Sequence, residues 1–248
     1  MDQFRLQLDP SILEQSASIF SRNALELWLA FHAPIVAFFN MPSFEALRRL
    51  KAGNLRFAKQ EPSCPPPDRA ELLRLADEGQ SPWAIVLGCS DSRVPVEYIF
   101  DQSPGSLFVV RVAGHVVTET TIESVEFAVK NFGTPLVVVL GHAQCGAVGA
   151  TLERGMDANK PSQILDAISC NLEPAHFTAY KSDPEAACAN AIKTHVRATT
   201  LRLLEQSPEM SDRVAGGRLT VAGAEYDLAT GKVHFHPELL YNGPEGEC

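Results

Sequence analysis

Two short apolar runs limit the folds open to this chain more than any other feature. Trp83-Ala84-Ile85-Val86-Leu87 and Leu136-Val137-Val138-Val139-Leu140 are continuous and rich in β-branched residues. Runs of this kind suit strands covered on both faces, as in a parallel sheet. Each run ends in a glycine, and a residue able to hold a metal follows each glycine. The first continues as Gly88-Cys89-Ser90-Asp91-Ser92-Arg93, the second as Gly141-His142-Ala143-Gln144-Cys145-Gly146. In open α/β sheets the site lies beyond the carboxyl ends of the strands. If the two strands are neighbours, Cys89, His142 and Cys145 converge. Two thiolates and an imidazole make a good zinc set with a fourth position left over.

The other segments alternate helical patterns with these strands, and no linker break divides the 248 residues. We therefore expect one α/β domain over 41–240, with flanking helices, an N-terminal helical arm over 1–40 and a tail over 241–248. Residues 12–39 read as one or two helices bent at Pro34. Ser43 is expected to cap a helix running to about residue 59, with Phe44, Leu47, Leu50, Leu55 and Phe57 on its apolar face. A proline-rich linker at 61–67 contains Cys64, and a short helix follows over 68–78. Strands are expected at 83–88, 107–112 and 135–140, with a helical turn opening near 94–97. The helix between the second and third strands starts at Thr118 or Glu119. It carries Ile122, Val125, Phe127 and Val129 as candidate apolar positions, and Gly133 ends it. A helix over 145–155 should direct its N-terminus at the metal. Residues 162–206 read as mostly helical with a break near Asp183-Pro184. The segments 219–223 and 232–235 flank a turn at Thr230-Gly231, which signals a hairpin. The last twelve residues read as a loose tail.

Charge narrows the partners. Lys plus Arg number 21 and Asp plus Glu 30, a net charge of −9, and no block of basic residues forms a nucleic-acid patch. Six cysteines (64, 89, 145, 170, 188, 248) are too few and too unevenly spaced for a disulfide framework at this length. Ligand thiolates need a reducing compartment, and MDQFRLQLDP lacks the parts of a secretory signal. A cytoplasmic location is the expectation. The apolar stretch 24–39 carries Glu26, His32 and Pro34. It is shorter than the roughly 20 residues of a spanning helix, so a helix packed on this chain or a partner is expected in preference to peripheral membrane attachment.

Three protein ligands leave one position open, as catalytic zinc sites do, and water there is acidified towards neutrality. Two thiolates donate more charge than two histidines, which places the expected activity limb somewhat above pH 7. Asp91 and Arg93 stand two residues apart and share a side of an extended segment. Arg93 can hold Asp91 in a bidentate pair, keep it ionised and aim it. A bare surface pair of this kind is worth little; adjacency to a metal-binding cysteine favours the orienting role.

Cys-x-Asp-x-Arg followed by His-x-x-Cys resembles the β-class carbonic anhydrases. The similarity extends over roughly residues 43–236 and includes FDQSPGSLFVVR, SVEFAVKNFG, VVVLGHAQCGAV and YDLATGKV. It implies an α/β fold with a parallel sheet and a C-terminal edge strand. It also implies a homodimer, or a higher even oligomer, whose N-terminal helices embrace the partner. By the same resemblance Cys89, His142 and Cys145 hold one Zn2+ per chain, and Asp91 with Arg93 orients a zinc-bound hydroxide that attacks CO2. Gly146 matches the glycine whose N–H helps hold bicarbonate. Gln80, nine residues before Cys89, matches the substrate-binding glutamine of plant-type members. Phe108 matches an aromatic wall, and Phe127 falls where those members carry tyrosine. The apolar pocket is expected near Val86, Phe108 and Phe127. One branch of the family closes Asp91's equivalent onto zinc at low pH and binds bicarbonate in a pocket of Trp, Arg and Tyr. That Trp falls at Val86, which favours the open, plant-like form; Arg111 occurs in both branches.

His115 follows strand two where many members carry a different motif. A proton relay is one role for it, and a loop histidine bonded to backbone is the blander and preferred one. Among rivals, carbonyl sulfide and carbon disulfide hydrolases share the scaffold and ligands. A thiol phosphatase built on Cys89 and Arg93 needs a longer loop between the two residues. A zinc-stabilised assembly protein has no use for Asp91, Arg93 and Gln80, and GHAQCGAVG matches no nucleotide-binding fingerprint. Cys64, Cys170, Cys188 and Cys248 are expected to be core or surface thiols.

Overall fold

Both apolar runs fold as buried strands, and they lie side by side. The computed structural model describes residues 41–155 and 161–243. In chain order these form α1 (Ser43–Ala58), α2 (Arg69–Glu78), β1 (Ala84–Gly88), the single turn α3 (Val96–Ile99), β2 (Leu107–Arg111), a 3-10 turn (Ala113–His115), α4 (Glu119–Phe132) and β3 (Leu136–His142). Then come α5 (Gly146–Arg154), α6 (Gln163–Ser169), α7 (Pro174–Tyr180), α8 (Pro184–Gln206), α9 (Pro208–Ala215), β4 (Thr220–Tyr226) and β5 (Val233–Tyr241). The expected arm over 1–40, its dimer embrace, the 24–39 stretch and Cys248 lie outside the described residues.

The sheet order is β2-β1-β3-β4-β5. The first four strands are parallel and β5 closes the edge antiparallel to β4. The expected parallel sheet with a C-terminal edge strand is therefore present. β1 and β3 pair from Ile85 opposite Val137 to Gly88 opposite Leu140, so their carboxyl ends lie together. Alternation sorts the side chains by face. Ile85, Leu87, Val137 and Val139 pack with Val125 and Val129 of α4 and Ile192 and Val196 of α8. Ala84, Val86, Val138 and Leu140 pack with Leu50 of α1 and with Ile99 and Phe100. Each fully buried aliphatic side chain contributes about 1.5–3 kcal/mol.

Several local expectations are corrected. Pro42, not Ser43, is the N-cap of α1, and no side chain caps it. The buried stripe of α1 is Ala46, Leu47, Leu50, Gly53 and Asn54; Phe44 is 70% exposed and Leu55 is also exposed. Gly53 belongs to the stripe because a Cβ there would overlap the carbonyl oxygen of Phe100. Asn54 belongs because its side chain donates to the carbonyls of Ile99 and Gly231 at 3.1 and 2.9 Å and accepts from the Val233 N–H at 2.8 Å. Those bonds pin the hairpin turn to α1. The third strand runs on to His142, which pairs with Tyr226. The last twelve residues are not all a loose tail: β5 continues to Tyr241, which pairs with Val221. Backbone pairing makes that edge strand, and much of its surface is polar or exposed, so no apolar run betrays it.

Candidate active site

Cys89 is the first residue after β1, and His142 is the last residue of β3. The β1–β2 pairing continues past the strand ends through Val112 N–H to Gly88 carbonyl (3.1 Å) and Ser90 N–H to Val112 carbonyl (3.3 Å). Arg111, at the end of β2, donates from Nε to the Cys89 carbonyl (2.8 Å) and from Nη2 to the Asp91 carbonyl (2.5 Å). The first motif is thus clamped along its backbone. In the second motif Gln144 adopts φ 54°, a left-handed conformation that costs a non-glycine residue energy. That tight turn brings Cys145, the N-cap of α5, back beside His142. The two motifs are tied where Arg93 Nη2 donates to the Gln144 carbonyl at 3.2 Å.

Cys89, His142 and Cys145 are all buried, and their ligand atoms lie within 4.8 Å of one another. A tetrahedral metal with bonds of about 2.0–2.3 Å needs this closeness. His142 Nδ1 lies 2.9 Å from the Ala143 carbonyl, which assigns its proton to that nitrogen. Nε2 is buried without a protein partner among the described residues. A buried bare imidazole nitrogen facing two thiols is what a metal satisfies, and the carbonyl behind it is the usual orienting partner. Cys89 is held low, first by a hydrogen bond from Cys145 and then by His142 and the N–H groups of Asp91 and Gly114. Cys145 is pushed up by the same bond and by burial, against the pull of the Val148 and Ala147 N–H groups.

Asp91 stands at the edge of this cluster. Its Oδ1 accepts from Arg93 Nε at 3.0 Å and from the Arg93 N–H at 2.9 Å, and its Oδ2 accepts from Arg93 Nη2 at 2.7 Å. Oδ2 also lies 3.9 Å from His142 Nε2. The Asp91 side chain is 18% exposed and that of Arg93 50%. The Arg93 guanidinium first, then the Arg93 N–H and His142, hold the Asp91 carboxyl well below the usual carboxylate range. Asp91 is therefore ionised, fixed by two bonds from one guanidinium, and close to Nε2 of His142. Arg93, committed to Asp91 and Gln144, is not presented as a phosphate binder.

The remaining expected site residues divide. Gly146 opens α5 with open space where a side chain would stand, and the first N–H groups of a helix have no partner within it. Gln80 follows Gly79 at the end of α2 and is exposed. Phe108 is half-buried, with its ring 6.3 Å from that of Phe127, which is itself 53% exposed. Val86 does not join them in one chain, and this corrects the expected pocket. Val86 is fully buried in the cluster with Leu50 and Phe100, whereas Phe108 packs on the opposite face. Adjacent strand positions point to opposite faces, and Phe108 is in register with Ile85, not Val86. Cys64 and Cys188 are partly buried and Cys170 is exposed, all as free thiols.

His115 fits neither role expected of it. It is fully buried at φ 42°, so it cannot exchange protons with buffer, and neither ring nitrogen has a protein partner among the described residues. Its ring lies 4.5 Å from that of His195. Burial, then His195, pushes His115 well below the ordinary histidine range, and burial pushes His195 down to about 4. Both folded-state values lie below the unfolded value of about 6.5. The unfolded chain therefore takes up protons first as pH falls, so this stabilisation is complete above pH 6.5 and is lost towards pH 4. We expect His115→Phe to raise the urea midpoint over the parent by more at pH 5 than at pH 7.5. An equal difference at both values would contradict the assignment.

Three features at this site were not read from sequence: the Arg111 clamp, the left-handed Gln144, and the Gly114 N–H donated to the Cys89 sulfur at 3.2 Å. The Gly114-His115 step carried a signal for the last, since glycine permits close backbone approach.

Residues 84–233 match the family model described as carbonic anhydrase. The chain is 38% identical over 200 residues to "Carbonic anhydrase 2" of Mycobacterium tuberculosis, covering 81% of this chain and 96% of that one. It is 36% identical to a carbonic anhydrase of Mycolicibacterium smegmatis, over 78% of this chain and 93% of that one. Among solved structures it resembles the β-carbonic anhydrase CafA of Aspergillus fumigatus, with a TM-score of 0.58, 27% identity, and coverage of 81% of this chain and 91% of that one. This chain belongs to the β-class carbonic anhydrases.

Proposed function

We propose that this enzyme binds one Zn2+ through Cys89, His142 and Cys145 and hydrates CO2 reversibly to bicarbonate and a proton. The observation that carries the reading is Asp91, ionised and locked by Arg93 at 3.9 Å from the free Nε2 of His142. Zinc held there would acidify a water in its fourth position and make a nucleophile near neutral pH. The chain's own groups do the rest. Asp91, an acceptor only, would accept a hydrogen bond from that oxygen and so leave a lone pair turned towards CO2. Arg93 keeps Asp91 charged and aimed. The Gly146 N–H donates to the bicarbonate oxygen, where negative charge gathers. Gln80 precedes β1 whereas Cys89 follows it, so in the proposed dimer its amide would serve the site of a second copy, and Phe108 and Phe127 would give the approach an apolar wall.

The open form of the site is favoured by three features. Asp91 is engaged by Arg93, Val86 replaces the tryptophan of the alternative pocket, and the Arg111 guanidinium is committed to two main-chain carbonyls. We propose a homodimer or higher even oligomer, supported by the exposure of Phe44, Leu55, Leu72, Leu73, Tyr98 and Phe127. Among the described residues no helix is long and apolar enough to cross a membrane. A cytoplasmic location is proposed from the need to keep the ligand thiols reduced.

Substrate choice is tested by comparing kcat/KM for CO2 and for carbonyl sulfide on zinc-quantified protein. The larger value is expected for CO2. A larger value for carbonyl sulfide would transfer the site to that hydrolysis.

A further inference from the structure

Next to Cys89 lies a chain of hydrogen bonds that the proposed reaction does not use. The Gly114 N–H donates to the Cys89 sulfur at 3.2 Å. The Gly114 carbonyl, on the other side of its Cα, lies 2.7 Å from His195 Nε2. His195 Nδ1 lies 2.9 Å from Asn171 Nδ2. An amide nitrogen can only donate, so His195 Nδ1 accepts and its proton sits on Nε2, pointing at the Gly114 carbonyl. His195 is fully buried on α8, the longest helix described, and Asn171 follows α6.

We propose that His195, with its tautomer fixed by Asn171, is a positioning residue that holds Gly114 so that its N–H meets the Cys89 sulfur. The argument is one of freedom. Gly114 sits at φ 63°, which glycine adopts without strain, and a Cβ there would press within 2.7 Å of Ile168 Cδ1 and 3.1 Å of Ala147 Cβ. Glycine is also the residue whose two flanking peptides rotate most freely. A bond on the N–H side alone leaves the carbonyl side loose. The His195 bond fixes the second side, and the His115 N–H to Val112 carbonyl bond at 2.9 Å closes the turn. The His115 ring packed at 4.5 Å then holds the His195 ring in place. Burial keeps His195 neutral above pH of about 4, so the donor stays on Nε2 through the working range. An N–H aimed at a ligand sulfur orients it and withdraws charge from it, as groups behind metal ligands do.

The inference rests on the reading that Cys89 holds zinc, but its test needs no turnover. Zinc affinity is measured by competition with a coloured chelator for the parent, His195→Leu, His195→Gln and Asn171→Ala. The sulfur-to-metal absorption of the cobalt-substituted proteins is recorded alongside. His195→Leu should weaken zinc binding about 10–100-fold and shift the cobalt band. His195→Gln, whose amide nitrogen can reach the position of Nε2, should restore most of both. Asn171→Ala should move both in the same direction by less. A folded His195→Leu protein with parental zinc affinity and an unshifted band overturns the proposal. So does a folded His195→Gln as weak as His195→Leu, because the role would then be packing alone. If His195→Leu does not fold, parental behaviour of Asn171→Ala overturns it. A parent that holds zinc but hydrates no CO2 fails the proposed reaction alone, and a parent that holds no zinc fails both.

Discussion

Replacement of Cys145 by serine is expected to release the metal and to abolish CO2 hydration. Serine keeps the shape of the side chain but offers a neutral hydroxyl where zinc needs an anionic sulfur. The loss is not repaired locally, because among the described residues no other metal-binding group joins Cys89, His142 and Cys145, whose donor atoms lie within 4.8 Å of one another. Without zinc, the acidity of the reacting water returns from about 7 to the bulk value near 15.7, so turnover should fall by more than about 10³-fold. Metal binding to the folded state is also folding free energy, so the melting temperature should drop together with the zinc content. Cys170→Ser is the control: that thiol is exposed and should change neither quantity. Cys145→Ser protein with stoichiometric zinc and parental turnover would remove Cys145 from the ligand set.

The second large effect is expected at Asp91. Asp91→Asn preserves volume but removes the charge, and it points an NH2 either at the Arg93 guanidinium or into the site. Two bonds from Arg93, at 3.0 and 2.7 Å, lose their charged acceptor. The oxygen facing His142 no longer reliably accepts a hydrogen. A general acid–base or orienting carboxylate of this kind is worth about 10²–10⁴-fold, and the loss should fall on kcat/KM with zinc content unchanged. Arg93→Lys should cost less, since an ammonium retains the charge but not the fork. The double variant should be far less than additive, because both residues serve one acceptor. The ionisation of Asp91 lies below the usual carboxylate range, so it stays charged at every working pH and contributes no limb to the activity profile. Equal activity of Asp91→Asn and parent would leave the pair as a surface contact.

The convergence of Cys89, His142 and Cys145 was legible because chemistry and topology coincide there. A buried parallel strand announces itself as an apolar run, and its end is where the fold places a site. The same burial hid the orientation of Val86. When both faces of a strand are covered, every position is apolar, and nothing local marks which side chain looks which way. His115 was misread for a related reason. Its burial is made by elements distant in the chain, among them α8, whose His195 ring lies 4.5 Å from it across 80 positions. Phe44, Leu55 and Phe127 show the converse: apolar residues at helical spacing that one folded chain leaves exposed. Edge strand β5 was half seen, because main-chain pairing extends it past the end of its apolar pattern.

The central claim is tested most directly by stopped-flow CO2 hydration with zinc-quantified protein at pH 7 and at pH 8.5. Asp91 held by Arg93 predicts zinc-dependent turnover at both values, lower at pH 7 and blocked by an anion that binds zinc. Turnover at pH 8.5 alone would mean that Asp91 leaves Arg93 for the metal, contradicting the open site. No turnover at either pH, with one zinc per chain, would contradict the proposed reaction itself.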